Sequence, residues 1–129
     1  MALLLDTCTL LWLVADKNRL SENARVALSS AAEPPFVSGI SAFEIAARYR
    51  SHGLRLPLPP DDWYREAIEF HGLVELPVTG SIAARAALLP PQEGDLCDRT
   101  IVATALENAL VVLTPDPSIA RFDGVQVLW

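Results

Sequence analysis

Lysine is almost missing from this 129-residue chain: Lys17 is the only one, and the remaining basic residues are arginines. No G-x-x-x-x-G-K-[ST] phosphate loop is present, which excludes a P-loop enzyme. A phosphatase or receiver domain of the kind that opens with a strand ending in aspartate needs a later lysine, and none follows Lys17. The phosphatase also needs a second aspartate two positions after the first, where this chain has Cys8. Cysteine is scarce too. Cys8 and Cys97 are too few for a disulfide framework and fit no zinc spacing, so they read as buried reduced thiols. The two histidines, His52 and His71, fall at expected helix ends, far in sequence from the acids discussed below. No apolar run reaches the ~18 residues that would cross a bilayer. The opening run Ala2–Leu5 is too short for a signal-peptide core and has no basic segment before it. The expectation is a cytoplasmic protein with no membrane association. Positive charge is in deficit, with 16 acidic against 10 basic residues and a net charge of −6. That argues against holding nucleic acid chiefly through a basic surface. It leaves open an enzyme that meets RNA through metal ions, because such a site needs clustered carboxylates.

What the chain does have is apolar surface: 51% of its residues are hydrophobic, enough for a core in a single domain spanning residues 1–129. Short, nearly all-apolar runs at Ala2–Leu5, Phe36–Ser38, Val74–Leu76, Val111–Leu113 and Val125–Leu128 read as buried parallel strands. Helical spacing of apolar residues separates them, over Thr7–Ala15, Glu22–Ala31, Ala42–His52, Asp62–His71, Gly80–Leu89 and Arg99–Ala109. Ser21 suits an N-cap. Gly53 and Gly72 suit helix stops. Strands alternating with helices predict an α/β fold whose mostly parallel five-stranded sheet is flanked by helices. In such sheets the ligand crevice lies outside the carboxyl ends of the strands, at the topological switch point.

Four acids fall where that rule directs attention. Asp6 follows Leu3–Leu5 directly, and Asp116 comes soon after Val111–Leu113. Glu44 lies one helical turn beyond the second strand, and Asp98 opens the helix before the fourth. Each has a structural explanation as well. Asp6 and Asp98 suit helix N-caps, Glu44 completes a Ser41-x-x-Glu44 capping box, and Asp116 sits in a plausible Thr114–Pro117 turn. Taken together they would repel one another and be hard to desolvate unless a cation neutralised them. Hard oxygen donors without histidine or thiolate at suitable spacing select Mg²⁺ or Mn²⁺, and such a site suits phosphodiester cleavage. The hydroxyls of Thr7 and Thr9 lack a nearby histidine base, which disfavours covalent catalysis.

The segment Leu4-Leu5-Asp6-Thr7-Cys8-Thr9-Leu10-Leu11-Trp12 resembles the opening of PIN-domain proteins, especially the VapC-like toxins. Val37–Ala46, Asp95–Ala105 and Leu113–Asp116 resemble the family's second, third and fourth motifs, in the same order and at typical spacing. The resemblance covers essentially the whole chain. It implies a parallel sheet flanked by helices, Mg²⁺ or Mn²⁺, endoribonuclease activity, a homodimer and a cognate antitoxin. It assigns metal binding and catalysis to Asp6, Glu44, Asp98 and Asp116, with Asp95 as an auxiliary ligand. The third motif departs from the form H-x-D-P-F-D-R found in near relatives: Gly94 stands where a neighbouring histidine can occur, and Leu96-Cys97 replaces Pro-Phe.

Arg48, Arg50 and Arg55 follow the second motif and are candidates for phosphate contact, as is Arg99. The alternative for the first three is a solvated helix end. Trp12 and Trp63 are candidates either for the walls of an antitoxin groove or for the core. The competing functional reading is a PIN-like module that binds RNA or protein without cutting.

Overall fold

The structure, a computed structural model, describes residues 1–129. Its elements in chain order are β1 (Leu3–Leu5), α1 (Thr7–Ala15), a 3₁₀ turn (Lys17–Arg19), α2 (Glu22–Ser30), β2 (Phe36–Ser38) and α3 (Ile40–Arg50). There follow α4 (Pro60–His71), β3 (Val74–Leu76), α5 (Gly80–Leu88), α6 (Leu96–Asn108), β4 (Val111–Leu113), α7 (Pro117–Ala120) and β5 (Gln126–Leu128). The five strands form one sheet in the order β3-β2-β1-β4-β5, and every pairing is parallel. The chain winds outward from β1 through β2 to β3, then returns to place β4 on the other side of β1. The switch point therefore lies between β1 and β4.

Two apolar clusters sandwich the sheet. Successive strand residues point to opposite faces, so Leu4 and its partner Val112 face Ile82 and Ala86 of α5 and Ile101, Val102 and Ala105 of α6. Leu5, Val37 and Leu113 face Leu10 and Leu13 of α1, Ile45 of α3 and Trp63 and Ala67 of α4. The central strand β1 is buried on both faces, which explains why it reads as an unbroken leucine run.

Three helix boundaries differ from the sequence expectation in ways that matter to the site. The helix after β2 begins at Ile40 with Gly39 as its N-cap and no side-chain cap bond, so the capping box expected at Ser41 and Glu44 does not form. Ser38 Oγ instead accepts from the Ile40 N–H at 3.1 Å. This helix also stops at Arg50, and His52 rather than Gly53 adopts the left-handed conformation that closes it, with φ 63°. The helix before β4 begins at Leu96, three residues earlier than expected, because Asp95 is its N-cap. Asp98 is thus a first-turn residue and not a cap. The Lys17–Arg19 turn and α7 carry too few residues for a periodic signal in the sequence.

Candidate active site

The carboxyl end of β1 delivers Asp6, which is only 3% exposed. Both of its oxygens are held. Oδ1 accepts from the Thr9 N–H at 2.8 Å, which makes Asp6 the N-cap of α1. Oδ2 accepts from the Thr114 hydroxyl at 2.5 Å. The cap and site readings of Asp6 are therefore compatible, because the cap fixes the carboxyl in one rotamer. Burial pushes the Asp6 carboxyl above its ordinary value, the Thr114 and Thr9 hydrogen bonds pull it back, and the charge of Asp116 pushes it up further.

Asp116 lies just past β4 and caps α7, with Oδ1 accepting from the Ser118 N–H at 2.9 Å. Its own N–H donates to Thr114 Oγ1 at 3.0 Å. Thr114 thus ties Asp6 and Asp116 together. Asp98, in the first turn of α6, has its carboxyl pushed up to about 7, first by burial, then by Asp95 beside it and by the charges of Asp116 and Glu44. Glu44 projects from α3. Its Oε2 pairs with Arg48 Nη2 at 2.6 Å, while its Oε1 is buried and has no hydrogen-bond partner.

The charges of the four acids reach one another in a chain, through the pairs Asp6–Asp116, Asp98–Asp116 and Asp98–Glu44. They are gathered loosely, and no three His, Cys, Asp or Glu side chains stand close enough to hold one ion as they are. Asp95 lies at the exposed rim, its Oδ1 occupied by the Asp98 N–H at 2.9 Å. The PIN-domain family model matches residues 3–125. The chain belongs to the PIN-domain family.

Ribonuclease VapC22 of Mycobacterium tuberculosis is 36% identical over 114 residues, which cover 88% of this chain and 85% of that protein. Among solved structures, DNA-bound VapBC from Salmonella typhimurium superposes with a TM-score of 0.71 at 19% identity, over 99% of this chain and 97% of that one. A toxin–antitoxin complex from Klebsiella pneumoniae gives 0.66 at 21% identity, over 100% and 97%. No helix is long and apolar enough to cross a membrane.

Hydroxyl residues that the sequence offers only as nucleophiles, a capping-box serine or a turn threonine take another role around these acids. Beneath the acids lies a layer of buried hydroxyls. Thr7 and Ser41 are hydrogen-bonded at 2.9 Å, joining α1 to α3. Thr9 donates to the Leu113 carbonyl at 2.7 Å, joining α1 to the end of β4. Thr9 and Ser41 are fully buried. A hydroxyl residue within three positions of Asp6, Glu44 and Asp116 is the available signal, and Thr114, two residues before Asp116, carries it most clearly.

Of the four arginines proposed as phosphate contacts, Arg99 is corrected by the structure. It is 8% exposed, and all five of its N–H groups donate to main-chain carbonyls: Ala86, Pro91, Glu93, Ala87 and Leu89. A guanidinium has five donors and no more, so none remains for a phosphate. Arg99 instead ties the loop between α5 and α6 to both helices. Arg48 is engaged by Glu44, whereas Arg50 and Arg55 are exposed and line a cavity of about 530 Å³ with Tyr49 and His52.

Trp63 is core, at 5% exposure. Trp12 is half-buried against Trp129, with ring centroids 5.8 Å apart and Arg19 4.6 Å above its ring. Both thiols are free, with Cys97 buried and Cys8 half-buried. Burial and the neighbouring carboxylates push each up to about 11, so both stay protonated at neutral pH.

Proposed function

We propose that this chain is a Mg²⁺- or Mn²⁺-dependent endoribonuclease and the toxin of a toxin–antitoxin pair. The observation that carries the reading is Glu44 Oε1, a carboxylate oxygen buried without a hydrogen-bond partner and near enough to Asp98 for its charge to be felt there. Arg48 pairs with the other oxygen, but a buried acceptor left without a partner is still costly, and a cation beside Oε1 would remove that cost. The donor set also fits: every candidate ligand is a hard carboxylate oxygen, as Mg²⁺ and Mn²⁺ prefer. Asp6, Glu44, Asp98 and Asp116 would hold the ion, directly or through water, with Asp95 assisting at the rim. When bound, the ion lowers the pKa of an attacking water and offsets charge on the phosphate. The chain's own part is positional. Thr9 and Thr114 fix the Asp6 carboxylate, and Ser118 fixes Asp116. Arg50 and Arg55, free of carboxylates, contact the RNA backbone beyond the cut.

The kinship with a protein named as a ribonuclease supports the activity, and the likeness to a toxin–antitoxin complex supports a cognate antitoxin. A homodimer is proposed from Phe43 and Leu96, exposed at 61% and 65% on the neighbouring helices α3 and α6. Light scattering of the free protein should give about twice its 14.0 kDa chain mass, and a 14.0 kDa particle at tens of micromolar would reject the dimer. The loose gathering of the acids favours a second reading, a PIN module that binds without cutting.

Glu44→Gln separates the two readings. The amide preserves shape but is a far poorer partner for Mg²⁺. The nuclease reading expects a folded variant that is harmless when expressed without antitoxin, still binds antitoxin and has lost cleavage by ~100-fold or more, since even outer-shell partners of a metal cost 10- to 100-fold. Equal cleavage by variant and wild type at matched Mn²⁺ would reject this site. Cleavage by neither would favour the binding module.

A further inference from the structure

At the amino ends of the strands, opposite the acids, lies a cavity of about 480 Å³. Pro35 and Leu73, which lead into β2 and β3, mark its position on the sheet. Its floor is apolar, made by Leu13, Leu20, Leu28 and Leu73. Its polar groups are Lys17, Asn18, Arg25, Ser29 and His71, and no carboxylate lines it. In a chain with 16 acids and 10 bases, a pocket with two cations and no acid runs against the composition. The three ion pairs of the protein use Arg48, Arg65 and Arg85, so neither Lys17 nor Arg25 is neutralised by one. Arg25 is held in place by donating to the Lys17 carbonyl at 3.2 Å, which also brings the two cations to the same wall. Burial and the Lys17 charge both hold the His71 imidazole below its ordinary pKa, so at neutral pH it faces the pocket as an uncharged hydrogen-bonding group.

We infer that this cavity is a binding site for a small amphipathic anion, a carboxylate or phosphate head on an apolar alkyl or aryl body. The head pairs with Lys17 and Arg25, and the body lies on the four leucines. The volume suits this class, since small-molecule pockets run from ~300 to ~1,000 Å³ with an apolar lining and few placed polar groups. Lysine offers a point charge and arginine a planar fork, and both suit carboxylate and phosphate oxygens. The inference is independent of the nuclease reading, because the pocket shares no residue with the acidic crevice.

The test is a titration of the whole chain, labelled at its leucine methyls, followed by NMR. The ligands are octanoate, phenyl phosphate, octanol and inorganic phosphate. Octanoate or phenyl phosphate should shift the Leu13, Leu20, Leu28 and Leu73 methyls saturably. Octanol, which has the body without the charge, and phosphate, which has the charge without the body, should each bind at least ~10-fold more weakly. Lys17→Gln combined with Arg25→Gln should weaken the anion by at least ~10-fold without altering the spectrum of the free protein. Both residues are exposed, and the wild-type ligand series decides the matter even if the variant misfolds. Equal binding of octanol and octanoate, or no shift at these four leucines, overturns the inference. So does binding of an acidic Leu/Glu peptide where neither small anion binds, because the pocket would then serve a protein partner.

Discussion

The Thr114 hydroxyl donates to Asp6 Oδ2 across 108 residues of sequence, joining the ends of β1 and β4 at the switch point of the sheet. One oxygen thus acts twice, because the same Thr114 Oγ1 accepts from the Asp116 N–H. Thr114→Val keeps the shape and removes both bonds. The expected outcome is a folded protein whose cleavage falls by ~10- to 100-fold, the usual loss for a residue that orients a metal ligand. Because Thr114 positions and does not react, the variant should also need more Mn²⁺ for half-maximal activity. A variant with lower activity but an unchanged Mn²⁺ requirement would remove this role.

Asp98 tests the metal directly. Its carboxyl is crowded by Asp95, Asp116 and Glu44. An ion that binds only the folded state stabilises it by mass action. Millimolar Mn²⁺ should therefore raise the Tm of the wild type, and Asp98→Asn should blunt the rise. In EDTA the variant should melt no lower than the wild type, because the repulsion is relieved. Superimposable Mn²⁺ responses would strike Asp98 from the ligand set.

Arg99 tests the correction to the sequence reading. Replacing it with Met leaves five main-chain carbonyls around α5 and α6 without this donor. A buried group left unsatisfied costs ~1–3 kcal/mol. Water reaches part of this loop, so the expected loss of stability is about 3 kcal/mol by denaturant titration. Arg99→Lys should recover only part of it, because an ammonium has three donors and no planar fork. A drop in RNA affinity at unchanged stability would return Arg99 to the interface.

His71 contributes pH dependence, and its sign follows from its environment. Burial and Lys17 lower its folded pKa, whereas the unfolded chain takes the proton near 6.5. Of the other groups nearby, Arg25 lines the same cavity and Glu66 lines the adjoining one. The neutral ring therefore contributes stability that is present above pH 6.5 and is lost as pH falls from there through the lowered folded pKa. His71→Gln should lose less Tm than the wild type between pH 7.5 and 5.5. An identical loss would show that the fold does not hold His71 neutral.

Much of the fold was legible because period and composition are local properties. The strands Phe36–Ser38, Val74–Leu76 and Val111–Leu113 and the helix Thr7–Ala15 stand where the apolar pattern puts them. The pattern shows which residues leave water, and in the three central strands that is nearly every residue. The edge strands β3 and β5, expected to be buried, are largely exposed because each has a neighbour on one side only. Helix ends were less legible. A stop depends on which residue can turn left-handed in context: Gly72 does so as expected, but His52 takes that role in place of Gly53, and Ala109 takes it where no glycine stands.

The sequence by itself determined the alternation of strand and helix, the placing of Asp6 and Asp116 after strand ends, and the family motifs. Only the tertiary structure decided what each polar side chain is spent on. Glu44 is not a cap because Gly39 starts the helix, Asp6 caps α1 with one oxygen and holds Thr114 with the other, and Arg99 is committed to carbonyls from Ala86 to Glu93. Hydrogen bonds and desolvation depend on groups brought together across the chain, and no local period carries that information.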